Sequence, residues 1–166
     1  MYQPGDRVVY GIHGVCNILD LELRTIDRKK VEYFVLSPMD QPEARFYVPT
    51  QNKAALSKLR PLVNSDQLKE ILHGRGLEVA SWIQDENHRK QKYRELINRA
   101  DVAELVCMVR DLHVHRQKQL EQGRKFHLCD ENFLRDAEKL LCSEFSLVLN
   151  IPQSEVKSYI HNAIEK

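Results

Sequence analysis

The hydrophobic pattern of this chain changes period once, near residue 64, and no single layer of secondary structure can bury both halves. Before that point the apolar residues come in short runs at residues 7–10, 15–19, 31–36 and 45–48. These runs are rich in Val, Ile, Tyr and Phe, and Pro4-Gly5-Asp6, His13-Gly14, Asp27-Arg28-Lys29 and Pro38-Met39-Asp40 separate them. Four or five short strands within about sixty residues can cover one core only by curling up. A small SH3-like or Tudor-like β-barrel is expected over residues 1–63. Pro49 is expected to end its last long strand, with Leu56, Leu59, Leu62 and Val63 leading out.

After residue 64 the spacing is helical, and an all-α bundle is expected over residues 64–166. Ser65 can cap a short helix through Leu68, Ile71 and Leu72, stopped by Gly74 and Gly76. Ser81, with Gln84 three residues on, reads as the capping box of a helix running to about Asn98. Asp101 with Glu104 repeats the device for a helix ending at Gly123. Asp130 is expected to open a fourth helix and Pro152 a fifth. The two glycines within residues 74–80 mark the joint. The fold class is therefore α+β, with the two kinds of structure segregated into separate domains.

Composition narrows the function classes. The chain is 42% hydrophobic and 30% charged, the balance of an ordinary soluble protein. No run approaches the length of a membrane span, and the start lacks the basic and apolar regions of a signal peptide, so a cytoplasmic location is expected. The four cysteines are far apart and form no CxxC pair; reduced thiols are expected. Net charge is +1, but residues 81–129 carry ten basic and seven acidic side chains while residues 130–166 carry four and seven. A weakly positive face beside a negative one is the most this distribution implies.

No phosphate-binding loop, HExxH or GxSxG motif is present. His113 and His115 are two apart on a helix and point about 200° apart, so they cannot chelate a metal together. No cofactor and no metal is expected. His13 and Cys16 sit too close along one strand to make a good nucleophile pair, and no enzyme activity is expected. Trp82 is the only Trp and carries two readings. It is either a packing anchor for its helix, or an exposed wedge backed by Arg89, Lys90, Lys92 and Arg94, whose cations could neutralise phosphate. Arg24 and Arg45 are either ordinary outward-facing strand charges or register-fixing arginines at an edge that adds to another protein's sheet.

The opening Pro4-Gly5-Asp6-Arg7-Val8-Val9-Tyr10-Gly11-Ile12-His13-Gly14-Val15 closely resembles the start of CarD-like bacterial transcription regulators. The resemblance continues at Arg24-Thr25-Ile26, in residues 32–36 and 48–52, at Trp82, in residues 101–106, and at Val109-Arg110-Asp111-Leu112. It implies a barrel that binds the RNA polymerase β subunit, shared with the transcription-repair coupling helicase. It also implies a helical domain that reaches promoter DNA at the upstream edge of the bubble, where a Trp wedges into the minor groove and stabilises the open complex. Arg24, Arg45 and Tyr47 would then face polymerase, and Trp82, Arg89, Lys90, Lys92 and Arg94 would face DNA, weakly and without sequence preference.

Two positions depart from the family pattern. The interval from Trp82 to Asp101 is about one helical turn longer, so Glu86 occupies the place of the wedge. Tyr47 stands where some relatives carry a basic residue, with Arg45 two positions earlier. The alternative function is a Tudor-like protein-binding adaptor with no DNA role. A monomer is expected, with a domain-swapped dimer as the alternative.

Overall fold

The computed structural model describes residues 1–74 and 82–164. The chain divides into two units, Met1–Leu62 and Val63–Lys166. Of the expected joint only Gly74 is described, and Ser81, the expected helix cap, lies outside the described residues.

The first unit contains β1 (Arg7–Tyr10), β2 (Val15–Ile26), β3 (Lys29–Pro38), β4 (Phe46–Pro49), a one-turn helix α1 (Lys53–Leu56) and β5 (Leu59–Pro61). The strands form one antiparallel sheet in the order β4-β3-β2-β1-β5. Alternation puts Cys16 with Ile18, and Phe34 with Leu36, on one face. Val8 from β1, Val48 from β4 and Leu59 from β5 join them in a single core. The two outermost strands reach the same core only because the sheet curls on itself, as a small barrel does. Burying each such aliphatic or aromatic side chain is worth roughly 1.5–3 kcal/mol.

Two turns set this path. Gly14 has φ +72° and ψ −149°, a conformation essentially restricted to glycine, and its carbonyl accepts the Tyr10 amide at 2.9 Å. Between β2 and β3, Asp27 and Arg28 both take positive φ (50° and 65°), as a two-residue I′ hairpin turn requires. The segment expected to lead out of the barrel is instead a strand. Leu59 pairs with Tyr10 and Pro61 with Val8. A three-residue strand ending in proline has too little alternation to be read, and proline is tolerated there because the strand lies at the sheet's edge.

The second unit comprises α2 (Ser65–Leu72), α3 (Glu86–Arg99), α4 (Val102–Glu121), α5 (Leu128–Leu149) and α6 (Gln153–Ile164). Asn64, not Ser65, caps α2: its side chain accepts from the Gln67 amide at 2.8 Å, and the Gln67 side chain returns to the Asn64 amide at 3.0 Å. Asp101 caps α4 as expected, accepting the Glu104 amide at 3.0 Å. The helix expected from Ser81 starts four residues later, where the Asp85 carboxylate accepts the His88 amide at 2.7 Å. A carboxylate on free helix N–H groups, favoured by the helix dipole, sets the start, and Trp82 lies before the helix. The helix expected from Asp130 begins at Leu128, which puts Asp130 inside its first turn.

Packing is centred on α4 and α5. Leu105, Met108, Val109 and Leu112 of α4 and Leu134, Ala137, Leu141 and Phe145 of α5 are buried. Buried polar groups pin the remaining pieces. Glu144 on α5 accepts the Val63 amide at 2.9 Å, fixing where the chain enters this unit. Glu138 holds His161 at 2.9 Å and Lys157 at 3.3 Å, fastening α6 to α5. Among the described residues no helix is long and apolar enough to cross a membrane. All four cysteines are free.

Cys16 lies in the barrel core with its thiol pushed up to about 11 by burial, reinforced by Asp40. His13 is engaged elsewhere, its ring 4.2 Å from that of Phe46. A thiol-alkylating reagent at neutral pH should leave Cys16 unmodified in the native protein and label it once denatured. Peptide mapping after a short pulse reads this out, and labelling of native Cys16 at the denatured rate would mean the barrel core is not closed.

Candidate functional site

In the barrel unit the polymerase candidates divide. The Arg24 guanidinium lies 4.0 Å from the centre of the Tyr47 ring and 3.0 Å from the Glu22 carboxylate. The hydrogen bond to Glu22 raises its pKa further, so the cation is fixed in place and exposed. Arg45 is not on the strand. It precedes β4, and its guanidinium turns back to the Pro42 and Ala44 carbonyls and the Ser37 hydroxyl. A side chain engaged in bracing its own loop has fewer donors left for a partner. The structure thus brings Arg24 and Tyr47 together and leaves Arg45 apart from both.

These residues flank an open strand edge of the kind expected, on a strand that runs well beyond the apolar run at residues 15–19. β1 pairs with β2 only from Val15 to Asn17, extended by the Ile18 backbone bonds to Gly5 and Asp6. β2 nonetheless runs to Ile26, so β2 and β3 project as a two-stranded ribbon. Among the described residues nothing pairs with the outer edge of β2 over residues 20–26. Leu19, Leu21, Leu23 and Ile26 are exposed along it. The alternation of Leu19, Leu21 and Leu23 was visible in the sequence; that no strand covers them was not.

In the helical unit, Arg89 is 4% exposed and makes a two-pronged pair with Asp130, Nε to Oδ1 and Nη2 to Oδ2, each at 2.9 Å. Its remaining terminal nitrogen donates to the Ile83 carbonyl at 3.0 Å. Burial opposes the charge, but the Asp130 bonds outweigh it and raise the pKa. Arg89 was grouped with the exposed cations, and the structure withdraws it from that group. It cannot reach phosphate without abandoning a buried carboxylate.

Trp82 is half-buried beside this pair. Its ring stacks on His115 of α4 at 3.7 Å, 7° from parallel, and the Arg89 guanidinium lies 4.7 Å from its centre. His115 in turn accepts or donates to Gln119 at 3.1 Å and lies 6.3 Å from the Phe126 ring. Burial lowers the His115 pKa, so the ring stacks as a neutral imidazole at neutral pH. This is the geometry of an anchor; acting as a wedge would require the indole to leave its stack. His113, meanwhile, points to the His161 ring at 4.7 Å, so the two histidines diverge as their spacing implies. Among the described residues no three potential ligands converge on a metal position.

The other candidate cations lie outside this cluster. Lys90 is paired with Glu86 at 3.0 Å, a contact whose hydrogen bond lowers the Glu86 pKa. Lys92 and Arg94 are exposed on α3. From the sequence Asp130 was read only as a helix start and His115 only as a poor metal ligand, and Phe126 was not singled out. Forty-one residues separate Arg89 from Asp130, and no local signal links them.

A curled barrel whose β2 edge is uncovered is followed by a helical unit braced by a buried ion pair. Residues 2–63 match the family described as CarD-like/TRCF RID domain, and residues 67–161 match CarD, C-terminal domain. The chain belongs to the CarD-like family. It is 26% identical over 166 residues to "Putative transcription factor YdeB" of Bacillus subtilis (strain 168), covering 96% of this chain and 99% of that protein. These matches make transcription regulation its function class.

Arg89→Ala should destabilise the protein by about 3–5 kcal/mol, because it strands the Asp130 carboxylate in the core. Urea unfolding measures this, and a loss under about 1 kcal/mol would mean the pair is solvated. Trp82→Ala removes a half-buried stack and should lower stability by about 1–3 kcal/mol, less than a fully buried Trp costs. Unchanged unfolding for that variant would show the indole free of its His115 stack in solution.

Proposed function

We propose that this protein binds the RNA polymerase β subunit through its barrel and promoter DNA through its helical unit, and so prolongs the open complex. The observation that carries the reading is the uncovered edge of β2 with its exposed leucines. A long apolar strand edge is a hazard for aggregation unless a partner's strand covers it. Arg24, held against Tyr47 and Glu22 at 4.0 and 3.0 Å, stands beside that edge as a fixed cation for a partner carboxylate. Tyr47 adds an exposed aromatic at the same place, the residue type that commonly anchors interfaces. The compartment of polymerase, the cytoplasm, is the proposed location.

The DNA part of the reading requires little affinity. A factor that prefers open over closed DNA by about 1.4 kcal/mol shifts that equilibrium roughly tenfold. A near-neutral protein reaches this through tethering, since polymerase binding by the barrel raises the local concentration of the helical unit at the promoter.

Open-complex lifetime on one promoter, measured by competitor challenge with and without the protein, tests the whole reading. Lifetime should increase several-fold with wild type. Arg24→Glu should bind an isolated β-subunit lobe at least about tenfold more weakly and lose the lifetime effect, with the melting temperature unchanged. Full lobe affinity for Arg24→Glu would remove this edge from the interface. Binding to the lobe with no change in lifetime would favour the adaptor without a DNA role.

A further inference from the structure

We propose that the tip of the α4–α5 hairpin is the surface by which the helical unit contacts the phosphate backbone of a nucleic-acid duplex. This rests on the DNA reading above and locates it away from α3. The tip is the loop from Gln122 to His127 with the adjoining turns of both helices. Residues 116–125 carry Arg116, Lys118, Arg124 and Lys125 against the single acid Glu121. Lys118, Arg124 and Lys125 are exposed, and none is paired with a carboxylate among the described residues. Cations left in water without internal partners retain their full charge for an external anion.

The α3 stretch is weaker on the same grounds. Lys90 is engaged with Glu86, Arg89 is buried on Asp130, and Arg99 lies 3.4 Å from Glu104. Lys92 and Arg94 remain, but Glu95 is exposed beside them. Two acids near the tip are already answered, Asp130 by Arg89 and Glu86 by Lys90, which leaves Glu121 and Glu131 as its exposed acids.

Two further observations fit a duplex. Leu120 and Leu128 are 54% and 72% exposed on either side of the loop, which intramolecular packing does not explain. Apolar side chains flanked by cations can lie against sugars in a minor groove while the cations hold phosphates on either side. The tip is also held rigid. Gly123 takes φ +68° to reverse the chain, and the Arg124 amide closes the turn onto the Gln119 carbonyl at 2.8 Å. Phe126 contacts His115, and His115 carries Trp82, so the tip and the only Trp form one packed cluster.

The test uses the full chain and a fluorescent duplex, with anisotropy read at several salt concentrations. The neutral variant Lys118→Gln/Arg124→Gln/Lys125→Gln should bind at least about tenfold more weakly at low salt. Its slope of log affinity against log salt should flatten by about two to three, since each phosphate contact contributes roughly 0.9. Its melting temperature should match wild type, because all three side chains are exposed. If that variant keeps the wild-type slope while Lys92→Gln/Arg94→Gln loses it, the tip is overturned and the DNA reading stands. If wild type shows no salt-dependent duplex binding at all, the DNA reading falls and takes the tip with it. Binding of poly-glutamate with the duplex left unbound would make the occupant an acidic protein, and would likewise overturn the inference.

Discussion

The helical unit depends on one buried ion pair. Arg89 and Asp130 join the first turn of α3 to the first turn of α5 with two parallel bonds of 2.9 Å. A buried pair is weak evidence of net stability, because desolvating both charges cancels most of their attraction. Its value is geometric. A guanidinium fork meets a carboxylate in only a few orientations, so the pair sets the start of α3 against α5. The third arginine contact, to the Ile83 carbonyl, extends that control to the chain just before the helix. Trp82 is placed by this arrangement, lying under Arg89 and on His115.

The barrel uses a different device. Its core is closed by seven buried residues from all five strands. β2 and β3 then continue past that core as a ribbon, held by their own ladder and by an I′ turn whose two residues both take positive φ. Neither Asp27 nor Arg28 is glycine, so the turn carries some backbone strain and the ladder beyond it must hold the geometry. The ribbon adds little to the core, and its leucines face water. A chain that keeps exposed leucines on an open edge is consistent with a surface kept for pairing.

Most of the architecture was legible because its signals are local. The change of period separated strands from helices, and Asp101 capped α4 where its spacing placed it. The family match over residues 2–63 and 67–161 agrees with motifs readable in the first fifteen residues and near residues 101–112. What could not be read depends on contacts distant in sequence. The start of α3 was displaced because Ser81 and Asp85 are both good caps, and nothing local chooses between them. The end of α3 gave no signal either, since a buried Ala100 adopts the left-handed cap usually taken by glycine. Arg89 read as one cation in a basic run, and only its partner on another helix reveals it as structural.

The longer interval between Trp82 and Asp101 acquires a physical meaning from these contacts. The resemblance implies an aromatic where this chain has Glu86, at the first position of α3. Here that position carries an acid satisfied by Lys90, and the indole sits four residues earlier on α4's His115. The indole lies between the Arg89 guanidinium of α3 and the His115 ring of α4, so both helices place it. On its far side His115 faces Phe126 in the α4–α5 loop. Whatever the helical unit touches through this Trp must therefore also lie close to the hairpin tip, where the unpaired cations and exposed leucines are.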